Sequence, residues 1–304
     1  IEVRKLELSE LIVQTESKRF YPFSTLASHI IGYLLEVSPE ELKTDSFSDN
    51  RIGDLVGKTG IERVYESQLT GEDGQVLEIV DSIGRKTDEL ARQKPLPGEN
   101  VWLTLDYELQ KKAEELLEGR EGAVVVLNPK NGQILVLASY PNFDPNKFIN
   151  RFTPEEWQDL IDSPEFPLEN RTIRGLYSPG SIFKLTMALG ALDSRIITDR
   201  TTFFCGGQVR FYNRPRSCWY GPGHGALDLA SAIKNSCNIY FYQLGQRMGI
   251  EEIAHYARLL GFESKTGIDL EGEKDGLVPD PDWKKKAQNA RWFPGETISV
   301  AIGQ

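Results

Sequence analysis

Ser181 and Lys184 stand three residues apart in Tyr177-Ser178-Pro179-Gly180-Ser181-Ile182-Phe183-Lys184. On a helix that spacing places a hydroxyl and an amine on one face with their polar tips close together. Pro179-Gly180 forms a turn that sets Ser181 in the first helical turn, where unpaired backbone N–H groups favour negative charge on the serine oxygen. A lysine held in a poorly solvated cleft gives up its proton and serves as base for a neighbouring hydroxyl. The pair therefore has the parts of an acyl-transfer nucleophile. Ser-x-x-Lys also occurs on ordinary solvated helices, but here Ile182, Phe183, Leu185, Met187, Ala188 and Leu189 surround it. A helix apolar nearly all round is expected to be buried, and a buried Ser/Lys pair is costly without a purpose. Further on, Ser236-Cys237-Asn238 falls inside an expected helical stretch over 229–242. Ser236 adds a hydroxyl suited to relaying a proton, and Asn238 an amide suited to holding a peptide backbone.

A second constellation overlaps the first. Cys205, Cys218 and Cys237 are the only cysteines, and His224 lies among them. Three thiolates and an imidazole suit tetrahedral Zn²⁺. Cys205, Cys218 and His224 sit in a loop rich in Gly and Pro that has little core of its own and would gain order from a metal clip. Cys237 is the middle residue of Ser-x-Asn, so a metal would tie that loop to the serine and asparagine. Two other readings stand beside zinc: a Cys205–Cys218 disulfide with Cys237 as a buried apolar residue, or three unpaired thiols. His29 and His255 read as ordinary packing or surface residues.

The elements that must hold these groups follow from pattern and composition. The 304 residues allow two domains, and 39% hydrophobic with 26% charged residues is a globular profile. The formal charge of −10 repels phosphate backbones, so nucleic acid is not expected as a partner. No apolar run approaches the ~20 residues of a bilayer span. Residues 1–5 do not read as a signal peptide, and the absence of an initial Met suggests a fragment whose membrane anchor has been removed. Over 26–33 a short helix is expected, with a helix start at Ser38-Pro39-Glu40-Glu41 and a strand over 75–80 followed by a charged segment from Gly84. Lys94-Pro95-Leu96-Pro97-Gly98-Glu99 is the clearest linker, giving a module over 1–95 and a larger domain over 96–304. In the latter, 101–106 alternates like a strand and 108–118 has helical spacing. Residues 122–127 and 133–139 are apolar runs joined through Asn131-Gly132, a hairpin expected to lie in a sheet covered on both faces. Helices are expected over 181–192, 227–244 and 250–261. The fold class is α+β.

Ser-x-x-Lys followed by Ser-x-Asn is the motif order of the penicillin-recognising serine enzymes. Together with Gly122-Ala-Val-Val-Val-Leu-Asn-Pro-Lys-Asn-Gly, Asn142-Phe-Asp-Pro-Asn146, Thr266-Gly-Ile-Asp-Leu-Glu-Gly272 and Gly57-Lys-Thr-Gly-Ile-Glu62, it makes the chain resemble the class B penicillin-binding proteins. Pro294-Gly-Glu-Thr-Ile298 and Ala301-Ile-Gly-Gln304 add to that likeness. The resemblance implies a pedestal module followed by a transpeptidase domain of serine β-lactamase-like fold. It also implies acylation of Ser181 by the D-Ala-D-Ala end of a peptidoglycan stem peptide, cross-linking by a second stem's amine, and acylation by β-lactams. Lys184, Ser236 and Asn238 complete the implied catalytic set. The pedestal would contact a RodA-type glycosyltransferase at the outer, periplasmic face of the cytoplasmic membrane. The family's third motif, Lys-Ser/Thr-Gly on a strand, has two candidate strings here. Lys58-Thr59-Gly60 precedes the nucleophile, and Lys265-Thr266-Gly267 leads into an acidic, loop-like segment. Neither fits, so the chain is expected to be C-terminally incomplete, lacking part of the oxyanion hole and the substrate-binding strand. A serine β-lactamase would share the serine motifs but has no need of the preceding module. A non-catalytic scaffold that activates a glycosyltransferase would fit the pedestal and the missing third motif.

Overall fold

The computed structural model describes residues 18–48, 50–83, 85–150 and 152–304. The opening residues 1–5 and Gly84 lie outside these. Two compact units emerge, one ending at Arg174 and including Asp269–Gly272, the other comprising Gly175–Ile268 and Glu273–Gln304. Both mix helices with short antiparallel strands, the α+β composition expected.

In the first unit, helix α1 (Ser28–Ile31) leads into β1 (Leu34–Glu36), which pairs with β2 (Leu55–Gly57) ahead of α2 (Gly60–Val64) and α3 (Glu66–Leu69). The 26–33 helix is thus only four residues long, and Leu34 already belongs to a strand. The start at Ser38 yields a single 3-10 turn, Glu41–Lys43, closed by reciprocal Ser38–Glu41 side-chain bonds to backbone N–H groups. Strands β3 (Gln75–Val80) and β4 (Lys86–Gln93) form an exposed ribbon. The linker-like 94–99 segment lies inside this first unit, because Leu96 and Glu72 exchange backbone hydrogen bonds of 2.9 and 3.0 Å. A Cβ on Gly98 would come within 2.0 Å of the Leu69 carbonyl, so the approach requires glycine.

Residues 101–106 do not form a strand. They are tied instead by Thr104 Oγ1 donating to the Ile134 carbonyl (2.6 Å) and Asp106 N–H to Leu135 (2.9 Å). Asp106 also caps α4 (Tyr107–Leu117), accepting from Leu109 N–H. The hairpin of β5 (Gly122–Leu127) and β6 (Ile134–Tyr140) forms as the Asn-Gly turn predicts, but as a two-stranded sheet. Strand β6 is buried under α4, where Gln110 bonds both backbone groups of Leu137. Val125, Val126 and Leu127 of β5 are exposed, so the expected double cover is absent among the described residues. Helices α5 (Asn146–Asn150), α6 (Pro154–Ile161) and α7 (Arg171–Arg174) complete the unit, α6 opening with a Thr153/Glu156 capping box.

The second unit begins with a 3-10 turn, Gly180–Phe183, that runs into α8 (Lys184–Asp193). Strand β7 (Phe203–Cys205) will pair with β10, and β8 (Gln208–Phe211) pairs with β9 (Arg214–Ser217). After β10 (Gly225–Leu227) come α9 (Leu229–Lys234) and α10 (Asn238–Leu259), in which Gly249 (φ 77°, ψ 164°) is not helical, so two helices meet at a kink immediately before the start expected at Ile250. Helices α11 (Pro281–Gln288) and α12 (Pro294–Val300) close the unit. Its core lies where α8, α10 and α12 meet, around Met187, Ala191, Phe241, Leu244, Ile253 and Ile298. Gly245 lets α10 and α12 touch, since a Cβ there would stand 2.5 Å from that of Ala301. Helix α8 is not buried all round. Met187, Ala188, Gly190 and Ala191 face the core, while Ile182, Leu185, Leu189 and Leu192 are exposed. Their spacing of three and four residues puts them on one face, so an apolar composition has two apolar faces of which one is packed.

Candidate active site

Asp228 starts α9 by accepting from Ser231 N–H at 2.8 Å. The helix then breaks at Asn235-Ser236-Cys237 and restarts at Asn238. Ser-x-Asn is therefore not inside a helix, as the sequence suggests, but at a junction between two. Ser236 adopts a left-handed φ of 48°, a conformation uncommon for a residue with a side chain. This reversal aims both its carbonyl and its hydroxyl at one ammonium. Lys184 Nζ donates to Ser236 O (2.9 Å), Ser236 Oγ (3.1 Å) and Asn238 Oδ1 (2.7 Å). Ser236 Oγ in turn donates to Ser181 Oγ at 3.1 Å. The spacing argument brings Ser181 and Lys184 together, but the hydrogen-bonded line between them runs through Ser236.

The two ends of that line differ in exposure. Ser181 is open to solvent, whereas Lys184 is 2% exposed, with its ammonium 5.5 Å from the Phe241 ring centre. Burial lowers the lysine pKa, and the nearby thiols of Cys218 and Cys237 oppose that shift. An accessible nucleophile and a desolvated amine are the combination that proton transfer near neutrality requires. Sequence reasoning gave Gly303 no role of its own. Its carbonyl accepts the Gly180 N–H at 3.0 Å, and a Cβ on Gly303 would lie 2.2 Å from the Gly180 carbonyl. Only glycine permits that contact behind the Gly180–Phe183 turn; the sequence signal was the glycine itself, which the structure places at φ 75°.

Cys205, Cys218, His224 and Cys237 converge, their ligand atoms all within 4.8 Å of one another. The thiols are unbridged, and His224 Nδ1 stands 3.6 Å from the sulfurs of both Cys205 and Cys218. A tetrahedron with Zn–S near 2.3 Å and Zn–N near 2.05 Å has S···N edges of about 3.6 Å, so the donor set fits zinc in both chemistry and spacing. Burial raises the Cys237 thiol to about 12. Cys218 is held below the ordinary thiol value, because backbone N–H groups of Tyr220, Asn238 and Ile239 outweigh its burial.

Of the two Lys-Thr-Gly strings, Lys58-Thr59-Gly60 joins β2 to α2 in the first unit, with Lys58 paired to Glu41. Lys265-Thr266-Gly267 is loop, with the Thr266 N–H and hydroxyl both bonded to Glu273 at 2.9 and 2.6 Å. Among the described residues neither string lies on a strand. His29 is buried, its Nε2 2.8 Å from the Pro167 carbonyl, and His255 is exposed.

Residues 122–303 match the family profile of the penicillin-binding protein transpeptidase domain, and residues 1–103 that of the penicillin-binding protein dimerisation domain. Peptidoglycan D,D-transpeptidase MrdA of Acinetobacter baumannii is 37% identical over 96% of this chain and 44% of its own length. The Escherichia coli enzyme of the same name is 34% identical over 96% and 47%. A solved complex of penicillin-binding protein PBP2 with MreC from Helicobacter pylori superposes with a TM-score of 0.85 at 37% identity, covering 94% of this chain and 53% of that one. Pseudomonas aeruginosa PBP2 in complex with WCK 5153 gives 0.81 at 36% identity, covering 94% and 59%. The chain spans about half the length of the curated relatives it matches. With both profiles matched in order and Ser181, Lys184, Ser236 and Asn238 gathered at one junction, the chain belongs to the penicillin-binding protein transpeptidases, a dimerisation module preceding the transpeptidase domain.

Proposed function

We propose that the protein is a peptidoglycan D,D-transpeptidase of cell elongation that cross-links stem peptides through an acyl-Ser181 intermediate. The observation that carries this is the line Lys184–Ser236–Ser181, with both steps at 3.1 Å. With Lys184 neutral, two of its N–H groups still serve Ser236 O and Asn238 Oδ1, and its lone pair accepts from the Ser236 hydroxyl. Ser236 Oγ then accepts from Ser181, so the same heavy atoms support proton transfer away from the nucleophile. Ser181 Oγ attacks the carbonyl carbon of the penultimate D-Ala, and the leaving D-Ala amine takes up the proton. With Asn238 Oδ1 engaged by Lys184, its Nδ2 is left to donate to a substrate carbonyl. β-Lactams would acylate the same oxygen.

Cys205, Cys218, His224 and Cys237 would hold one zinc ion, whose contribution is to fix the loop carrying the first three against the start of α10. The match to the dimerisation profile, and a relative solved as part of a peptidoglycan synthase complex coordinating polymerisation and cross-linking (TM-score 0.80), support a pedestal partner of RodA glycosyltransferase type. Such a partner places the protein at the periplasmic face of the membrane. No helix among the described residues is long and apolar enough to cross one.

The test is labelling of the full-length protein with a fluorescent penicillin. A stable adduct lost in Ser181→Ala is the expected result. Rapid turnover of the label would favour a β-lactamase, and no labelling would favour a scaffold; either overturns the transpeptidase reading.

A further inference from the structure

Ser181 follows a stretch of chain that little holds in place. Residues 176–179 are exposed, 175–179 form neither helix nor strand, and among the described residues 175–178 take part in no hydrogen bond. After Ser181 the chain is secure, because Phe183 and Lys184 are buried. Before it the first fixed point is Gly180, whose N–H donates to the Gly303 carbonyl at 3.0 Å.

Gly303 is itself firmly placed. It ends α12 in left-handed backbone at φ 75°, its N–H on the Val300 carbonyl (2.8 Å) and the next N–H, of Gln304, on Ser299 (3.2 Å). Glycine commonly closes a helix in this way. Ala301 and Ile302, just before it, belong to the packed core of the unit. Capping alone does not account for a glycine here, since asparagine also adopts this conformation at helix ends. Any side chain at 303 collides instead: a Cβ would stand 2.2 Å from the Gly180 carbonyl oxygen and 2.7 Å from the Gly180 nitrogen. The reverse does not hold, because a Cβ on Gly180 would meet nothing within 4 Å. The contact therefore constrains position 303.

We propose, resting on the transpeptidase reading above, that Gly303 is a positioning residue for acylation: it pins Gly180 and so holds Ser181 Oγ at 3.1 Å from Ser236 Oγ. A side chain at 303 has to open the contact from 2.2 Å to the 3.4 Å of ordinary packing. Gly180 is the partner that yields, because α12 is packed and the chain before Gly180 is not. A displacement of ~1 Å carries the serine oxygen out of hydrogen-bond range of its relay, and misplacement on that scale costs about 100-fold in rate. Initial binding of the substrate, which the Asn238 amide serves, does not use the contact.

The experiment measures acylation of the full-length protein by a fluorescent penicillin in Gly303→Ala, Gly303→Asn and Gly261→Ala. Gly261 is the control: it follows α10 at φ 89°, and a Cβ there would meet nothing within 4 Å. Stopped-flow traces over a range of penicillin concentrations separate the dissociation constant of the initial complex from the acylation rate constant. Both Gly303 variants should lose about 100-fold in the rate constant, with the dissociation constant within about threefold of wild type. Gly261→Ala should acylate as the wild type does. Acylation by Gly303→Asn within about threefold of wild type overturns the proposal, because asparagine restores the cap and not the contact. An equal loss in Gly261→Ala also overturns it. Hydrogen exchange of the wild type, read residue by residue, depends on no variant folding. The Gly180 amide should exchange at least about 100-fold more slowly than those of Leu176, Tyr177 and Ser178, and equal exchange overturns the proposal. Labelling of the wild type separates the two readings: a labelled wild type beside a fully active Gly303→Asn refutes only the positioning role, whereas an unlabelled wild type refutes the transpeptidase assignment beneath it.

Discussion

Replacing Ser236 by alanine and, separately, by glycine separates its hydroxyl from its backbone. Both changes delete the oxygen that stands 3.1 Å from Lys184 Nζ and 3.1 Å from Ser181 Oγ. Among the described residues no other atom links the two, so the nucleophile loses its base. A positioned proton carrier contributes about 10²–10⁴-fold, or roughly 3–5 kcal/mol of barrier. The backbone responds differently to the two residues. At φ 48° an L-residue costs about 1 kcal/mol that glycine does not incur. The glycine variant should therefore melt about 2–3 °C above the alanine variant, while both lose acylation equally. Stopped-flow measurement of the second-order rate with a fluorescent penicillin, beside a thermal melt of each protein, reads both quantities. Acylation within about threefold of wild type in either variant would refute the relay. Loss in alanine but retention in glycine would assign the role to backbone geometry instead.

Protein purified without added zinc should carry one zinc per chain; a metal present at a thousandfold its Kd contributes about 4 kcal/mol, so chelation should lower the melting temperature by about 10 °C. Metal-free protein with an unchanged melt would remove the clip. Burial holds the His29 pKa down to about 4, with Arg171 lowering it further and the Pro167 carbonyl opposing. The unfolded chain, titrating near 6.5, takes up this proton first, so stability is level above about pH 6.5 and falls by up to about 3 kcal/mol between there and pH 4. Urea titrations across that window should show the slope, and His29→Gln should flatten it; an equal slope in the variant would sink the assignment.

Where one local signal decided the structure, the sequence was readable. Asn131-Gly132 predicts the β5–β6 hairpin, and the helical spacing of Leu109, Ala113 and Leu117 predicts α4. Ser181, Lys184, Ser236 and Asn238 converge because each pair is close in sequence and only one tertiary contact, α8 against the α9–α10 junction, has to form. What stayed hidden depends on competition between faces. Apolar composition says that α8 and β5 could be covered on both sides, but not which side finds a partner, and Leu185 and Val125 remain exposed. Residues 101–106 alternate like a strand, yet hydrogen bonds to Ile134 and Leu135 hold them in another conformation. The break at Ser236 was invisible for a different reason. Helix-favouring residues flank it on both sides, and the left-handed turn combines a local helix C-cap, formed at a serine rather than a glycine, with contacts from far along the chain.

Those contacts explain how a strained residue persists at the centre of the site. Left-handed backbone at a serine survives only when its surroundings over-determine it. Ser236 N–H bonds the Ile233 carbonyl at 3.0 Å, and Cys237 N–H bonds Ala232 at 2.9 Å, closing α9. Trp219 Nε1 donates to the Asn235 carbonyl at 3.0 Å, and Lys184 Nζ takes the Ser236 carbonyl at 2.9 Å. Cys237, the next side chain, is fully buried among the converging thiols. Trp219 directly follows Cys218 in that same cluster. The cluster therefore grips the junction at two points, through Cys237 within the chain and through Trp219 across from it. The aim of the Ser236 hydroxyl at Ser181 is a property of the junction, and the junction is fixed by a cluster that touches neither oxygen. Loosening that cluster should release the backbone strain and misdirect the hydroxyl, even while the core formed by α8, α10 and α12 stays packed.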